Sequence, residues 1–299
     1  MVKKIAVLLA SYNGTRYIKE QIDSILEQKD VAVTIFISDD LSTDKTLEYL
    51  QNVYVQNKNL VYLKSDEKFG GAAKNFFRLI RDVDFSSFDF ISFADQDDIW
   101  YEDKLINAIR TIDAHNLDGY SSNVLAFWED GKEMLLDKAQ KQAKYDYLFE
   151  AAGPGCTYVL TINLANDIKR FINLKWEKVN ELDLHDWFIY AFSRENGYRW
   201  FIDARPSMRY RQHSSNQVGA NDGVSAKIKR LLLVFSSWYR DETRKMIEVL
   251  EIKNRYPFSK LILNKSYINN LLLVKDAFNF RRRMKEKFFL LILFMTGIY

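Results

Sequence analysis

Short, wholly apolar runs that alternate with helically spaced ones constrain this chain more than any other feature. Residues 5–10 are continuously apolar, the pattern of a parallel strand buried on both faces. Residues 15–28 carry Ile18, Ile22, Ile25 and Leu26 at helical spacing. Residues 31–37 are strongly β-branched, a helix capped by Ser42 or Thr43 is expected through about Val55, and residues 60–63 return as a strand. Gly70-Gly71 precede a helix holding Phe76, Phe77, Leu79 and Ile80. A strand over 88–94 follows, and from Trp100 onward a helix places Leu105, Ile106 and Ile109 on one side. This β-α-β-α-β-α-β order predicts an α/β fold around an open, mostly parallel sheet with right-handed crossovers.

The pattern changes after about residue 118. Residues 120–128 read as a strand, Gly153-Pro154-Gly155 as a tight turn or loop, and 157–161 as another short strand. Residues 184–194 read as a helix and 199–202 as extended. From Val224 onward the chain reads as almost wholly helical, with Pro257 the only obvious interruption. The expected division is therefore an α/β domain over 1–221 and a C-terminal helical region over 222–299. A net charge of +3 gives no general argument for nucleic-acid binding. A single cysteine, Cys156, excludes an intrachain disulfide and suits a reducing compartment. The first strand follows directly on Met1-Val2-Lys3-Lys4, so no signal peptide is expected, and no apolar run reaches the roughly 20 residues of a spanning helix. The expected location is cytoplasmic.

The strand over 88–94 closes on Asp95-Gln96-Asp97-Asp98. In an extended backbone, side chains two apart point the same way, so Asp95 and Asp97 would present two carboxylates on one side. Open α/β sheets place their ligand crevice at such strand ends, and paired hard anions there suit a divalent cation that holds a phosphate. A solvated acidic turn is the alternative. The first strand ends in Ser11-Tyr12-Asn13-Gly14 and the second in Ser38-Asp39-Asp40-Leu41-Ser42-Thr43-Asp44, both opening onto the same edge. A carboxylate at the second strand end can accept from a pyrimidine N–H or a ribose hydroxyl, though the same residues could serve as turn and cap.

Together, Ala10-Ser11-Tyr12-Asn13, residues 38–44, Gly71-Ala72-Ala73-Lys74-Asn75-Phe76 and Asp95-Gln96-Asp97-Asp98-Ile99-Trp100 resemble family-two glycosyltransferases of the GT-A fold. Within that family the resemblance is to bacterial rhamnosyltransferase-type enzymes of cell-surface polysaccharide assembly, and it covers roughly residues 3–220. It implies that Ser11, Tyr12 and Asn13 line the nucleotide site, that Asp39 contacts the base, that Asp40 supports it or the ribose, and that Lys74 lies near the base or diphosphate. It implies further that Asp95 holds the ribose or the metal through water, and that Asp97 coordinates Mg2+ or Mn2+, with His213 as a further ligand. Arg211 could meet the diphosphate by a forked pair.

In Leu184-His185-Asp186-Trp187, the resemblance makes Asp186 the general base that takes the acceptor's proton in a single, inverting displacement. Asp183 and Glu181 are rivals, and a helix-start carboxylate favoured by the macrodipole is the structural alternative. His185, Trp187, Gly155 and Cys156 are assigned to the acceptor side, with His185 also able to orient Asp186. Cys156 is otherwise read as a small buried residue, and His115 as a surface or capping one. The Gln-x-x-Arg-Trp signature of processive synthases is absent, so a single sugar is expected to be added.

Rhamnose from dTDP-rhamnose is the leading donor; a UDP-hexose or UDP-N-acetylhexosamine donor, a sugar-1-phosphate nucleotidyltransferase and a catalytically silent binding protein are the alternatives. Arg281-Arg282-Arg283-Met284-Lys285-Glu286-Lys287 followed by the apolar residues 288–295 suits a helix in an anionic lipid interface, as does the segment around Lys227, Lys229, Arg230 and 231–238. The expected acceptor is accordingly a polyprenyl-diphosphate-linked glycan at the inner face of the cell membrane. The alternative is that these helices pack on each other or on a partner subunit, and a homodimer is left open.

Overall fold

In β1 (Lys3–Ser11), Ile5, Val7 and Leu9 belong to one hydrophobic cluster and Ala6, Leu8 and Ala10 to another. Strict alternation between two apolar environments is what a strand buried on both faces requires. The computed structural model describes residues 2–64, 66–213, 232–233 and 236–299. Around β1 stand α1 (Ile18–Leu26), β2 (Val31–Asp39), α2 (Thr46–Val53), β3 (Leu60–Leu63), α3 (Ala72–Asp82) and β4 (Phe90–Ala94). Strands β1, β2, β3 and β4 are parallel, in the spatial order β4-β1-β2-β3.

Beyond these come β5 (Ile99–Trp100), α4 (Lys104–His115), β6 (Gly119–Ser122), β7 (Val124–Phe127), β8 (Glu133–Leu136), β9 (Val159–Thr161), α5 (Ile162–Leu174), α6 (Trp176–Val179), α7 (His185–Glu195), β10 (Trp200–Asp203) and β11 (Met208–Arg211). The main sheet has seven strands, β10-β6-β9-β4-β1-β2-β3, in which β9 runs antiparallel to both neighbours. A second sheet, β5-β11-β7-β8, takes up the chain just past the acidic run.

Three expectations are corrected. The strand expected over 120–128 is two strands in different sheets. They part at Asn123, whose side chain bonds Ala204 O, Asp137 and the Lys138 amide. Ser42 and Thr43 do not cap α2: Lys45, in the left-handed region, stands at its start, while Ser42 hydrogen-bonds Asp39. The C-terminal region has more breaks than Pro257, which sits at the start of a helix rather than inside one. Its helices are α8 (Trp238–Val249), α9 (Pro257–Leu263), α10 (Tyr267–Leu273) and α11 (Met284–Thr296). The expected boundary at 221/222 and the basic segment at 227–230 lie outside the described residues.

These helices share the core of the α/β part. Ile247, Phe258, Phe280 and Phe294 are buried in the same cluster as Phe149, Phe188 and Tyr190, and Phe280 stacks on Phe149 at 4.1 Å. Arg282, expected to flank a lipid-facing helix, is fully buried. It pairs with Asp146 at 3.0 Å and Glu150 at 3.2 Å, and donates to Ala151 O at 2.7 Å. Asp146 also meets Arg194 and Tyr190. Removing one partner of a buried ion pair strands the other charge, at about 3–5 kcal/mol. Arg282→Ala is therefore expected to lower unfolding free energy by that order. Arg283→Ala, whose guanidinium donates to Gln140 at 3.2 Å and closes no buried ion pair among the described residues, should cost less than about 1 kcal/mol. Urea denaturation of the two variants checks this, and equal losses would contradict the internal role of Arg282.

Candidate active site

The register pairs Ser11 with Asp39 and Leu9 with Ala94, so the carboxyl ends of β1, β2 and β4 deliver three polar loops to one rim of the sheet. The first two loops are laced together. Asp39 accepts from Ser11 Oγ at 2.8 Å, Ser42 N at 2.7 Å and Ser42 Oγ at 2.6 Å. Asn13 N donates to Ser42 Oγ, and Asn13 Oδ1 accepts from Thr43 N, each at 2.8 Å. Asn13 and Leu41 both have positive φ, about the tightest turn a non-glycine residue accepts.

Asp40 is buried and turns away from this rim. Its carboxylate accepts from the amides of Phe69, Gly70 and Gly71, which fixes the loop that leads into α3 and places Lys74 in that helix's first turn. Gln96 binds the third loop to the first, its amide group accepting from Tyr12 N at 2.8 Å and donating to Tyr12 O at 3.0 Å. A Cβ at Gly14 would lie 2.5 Å from Gln96 Oε1, which is why glycine stands there. The Tyr12 ring is exposed, with the Lys68 ammonium 4.8 Å from its centroid.

The acidic run does not form the expected trio of Asp95, Asp97 and His213. Instead it splits into two groups. Asp97 Oδ2 meets His213 Nε2 at 2.6 Å, and the His213 ring stacks on Tyr17. Asp95 gathers with Asp98 and Cys156, their ligand atoms within 4.8 Å of one another. Burial, then the Asp97 and Asp186 carboxylates, pushes Asp95 up to about 7. Burial, then the Asp97 and Asp95 carboxylates, holds Asp98 well above the usual carboxylate range. Asp98 Oδ1 accepts from Arg211 N at 3.0 Å, while among the described residues the buried Oδ2 has no hydrogen-bond partner. Arg211 lies between the rings of Tyr17 and Phe127, donates to Asp97 O at 2.8 Å and pairs with Glu20, so it braces the aspartate loop. An orphaned buried oxygen among mutually repelling carboxylates is a donor set that a hard divalent cation fits; the Cys156 thiol, raised by burial, is not a donor such a cation seeks.

Asp186 sits in the first turn of α7 and keeps part of its surface open. Its Oδ1 accepts from Trp187 N at 2.7 Å. Burial lifts its carboxyl to about 6, against hydrogen bonds from the amides of Trp187, Asp186 and Gly155 and the charge of Lys138. His185 stacks on Phe76 at 4.0 Å, its Nε2 has no partner, and burial pushes it down to about 3, so the ring is neutral at pH 7. Gly155 lies against both: a Cβ there would come 2.6 Å from His185 Nε2 and 3.0 Å from Asp186 Cβ. Trp187 points inward instead, buried with Nε1 donating to Tyr147 O at 2.9 Å. The rivals Asp183 and Glu181 are exposed, and Asp183 bonds Trp238.

Two site residues escaped the sequence reading, Gln96 and Lys104. Lys104 is 1% exposed, and its Nζ donates to Cys156 O at 2.6 Å. Its spacing from Ala108 and Ile112, four and eight residues on, puts a lysine on the apolar stripe of α4, a signal that was present in the sequence.

Three comparisons bear on this arrangement. A model of glycosyl transferase family 2 matches residues 6–164, which take in all three loops but neither Asp186 nor His213. The dTDP-rhamnosyl transferase RfbG of Shigella flexneri is 47% identical over 292 residues, 97% of this chain and 100% of that one. Among solved structures, residues 1–349 of S. aureus TarS superpose with a TM-score of 0.57 at 16% identity, covering 98% of this chain and 92% of that one. A mannosyltransferase of Pyrobaculum calidifontis, in complex with GDP-Man and Mn2+, gives 0.51 at 14% identity over 98% and 85%. The solved structures establish the shared GT-A fold. With a family match across more than half its length and a relative of this identity end to end, the chain belongs to glycosyl transferase family 2.

Proposed function

We propose that this enzyme is an inverting rhamnosyltransferase that moves one rhamnose from dTDP-rhamnose to a lipid-linked glycan in cell-surface polysaccharide assembly. The observation that carries the reading is the 47% identity, spanning 97% of the chain, to a dTDP-rhamnosyl transferase. The site supports it in its chemistry. Asp39 has two of its four lone-pair positions or more engaged by Ser11 and Ser42 in fixed directions, which aims the remaining acceptor capacity at the N–H of a thymine. Ser11, Tyr12 and Asn13 wall that pocket, Asp40 sets the loop that carries Lys74 towards the diphosphate, and Arg211 keeps Asp97 in place.

The neighbouring carboxylates of Asp95, Asp97 and Asp98 would hold Mg2+ or Mn2+. When bound, the cation neutralises the diphosphate and so eases its departure. Asp186 takes the proton of the acceptor hydroxyl as its oxygen bonds the anomeric carbon. The carbon–oxygen bond to the diphosphate breaks on the opposite face, and dTDP leaves. Neutral His185 and Gly155 shape the acceptor side beside Asp186.

Release of dTDP from dTDP-rhamnose, with UDP-sugars as controls, tests the donor. Pyrophosphate release would point to a nucleotidyltransferase instead. As a carboxylate base, Asp186 works deprotonated, so kcat should fall about tenfold per pH unit below about 6. Asp186→Asn should lower kcat about a thousandfold or more with dTDP affinity retained; wild-type turnover in that variant would end the base assignment. Turnover should also stop in EDTA and return with Mn2+. Asp97→Ala should lose that rescue while remaining folded, and full activity of the variant in EDTA would remove the cation from the account.

Among the described residues no helix is long and apolar enough to cross a membrane. Helices α10 and α11 nonetheless leave Ile268, Leu272, Phe288, Phe289, Ile292 and Met295 exposed. The two faces join, since Phe278 meets Phe288 edge-on at 5.4 Å and Gly297 lies against Tyr267. Exposed Lys265, Lys275 and Lys285 lie within a few residues of them along the chain. An apolar face with cations close by in the chain matches an anionic lipid surface at the inner leaflet, where a polyprenyl-linked acceptor resides. The wild-type protein should float with phosphatidylglycerol vesicles and not with phosphatidylcholine ones. The triple variant F288S/F289S/I292S should stay at the bottom while still binding dTDP. Flotation of the triple variant, or dimerisation through this face, would overturn the lipid assignment.

A further inference from the structure

Lys104 opens α4 on the side where Leu105, Ala108, Ile109 and Ile112 build a core. A leucine or methionine would pack there at no electrostatic cost, whereas burying an ammonium costs several kcal/mol even after relaxation. The lysine is retained in a particular setting. Its Nζ stands 3.1 Å from the centroid of the Trp100 ring, an arrangement that favours a cation, and it donates to the carbonyl of Cys156 at 2.6 Å. Burial pushes the Lys104 ammonium down to about 7, against the charges of Cys156, Asp98 and Asp95, which favour its charged form without closing an ion pair among the described residues.

The Cys156 carbonyl belongs to a single tight turn, Gly155–Thr157, held by Thr157 N to Pro154 O at 3.0 Å and Tyr158 N to Gly155 O at 2.9 Å. One residue back, Gly155 lies against α7: a Cβ there would come 2.6 Å from His185 Nε2 and 3.0 Å from Asp186 Cβ. A continuous path of contacts therefore runs from the ammonium through the Gly155–Cys156 backbone to Asp186. It starts behind the strand end that carries Asp95–Asp98 and finishes on a different helix, α7.

We propose that Lys104 is a positioning residue: through the Cys156 carbonyl it fixes the turn on which Asp186 rests, and so sets the base relative to the aspartates of the donor side. The inference rests on the reading of Asp186 as the base. Neutral substitution lets the turn relax away from α4, and a displacement of about 1 Å at a reacting group can cost about a hundredfold in rate.

The test uses Lys104→Met, which keeps the length and volume and removes the charge and the hydrogen bond. With dTDP-rhamnose, Mn2+ and water as the acceptor, kcat should fall about tenfold to a hundredfold. The donor KM and dTDP affinity should change by less than about twofold, as expected of an interaction absent from donor binding. The double variant K104M/D186N should be no slower than D186N alone, because both act through one group. Unchanged kcat in K104M, a further loss in the double variant, or a collapse of dTDP affinity in step with kcat would each overturn the proposal. Should K104M fail to fold, Gly155→Ala presses on Asp186 from the same turn and should give the same kcat-selective loss; a normal kcat there would equally overturn it. Full turnover by D186N would remove the base assignment itself, an outcome distinct from an inactive D186N beside a fully active K104M.

Discussion

Three carboxyl groups crowded into four residues at the end of β4 are the constraint around which the rim of this sheet is arranged. Buried like charges cannot all ionise without compensation, and the neighbourhood supplies it piece by piece. His213 faces Asp97, the Arg211 amide and guanidinium bind Asp98 Oδ1 and the Asp97 carbonyl, and buried Lys104, pushed down to about 7, stands near enough to feel Asp95 and Asp98. The second sheet exists in service of this group, since β5 continues the acidic loop and β11 returns with Arg211 and His213 beside it.

Around that centre, several polar side chains work on other loops rather than on a ligand. Asp40 gathers three amides before α3, Gln96 braces Tyr12, and Asp39 and Asn13 bind two loops into one wall. The loops take hydrogen bonds from one another as well as from within. The rim thus holds its form while the Tyr12 ring stays exposed and Lys74 half-buried. On α7 the same division holds: Trp187 anchors the helix in the core while Asp186 and His185, on the adjoining turn, keep part of their surface open.

The C-terminal helices have two faces with different duties. Inward, Arg282, Phe280 and Phe294 complete the core beneath α7 and its neighbours, and Arg240 ties α8 to the Leu261 and Ile262 carbonyls and to Asn270. Outward, aromatic and aliphatic side chains remain uncovered. A basic run next to an apolar one looks uniform in sequence, yet Arg281, Arg282 and Arg283 go to different environments because they lie in the irregular bend before α11, where successive side chains share no face.

The α/β class, the strand order along the chain and the three polar loops were legible in the residues, because strand and helix periodicities and strand-end acids are local properties. Burial of Lys104 on the stripe of α4 was also written there, though its apolar neighbours disguised it. Tertiary structure alone decided the rest. It divided 120–128 between two sheets, split the expected trio so that Asp95 faces Cys156 while Asp97 faces His213, turned Asp40 and Trp187 inward, and drew Arg282 into the core. Those outcomes depend on which partner lies across a crossover of tens of residues, and neither spacing nor propensity carries that information along the chain.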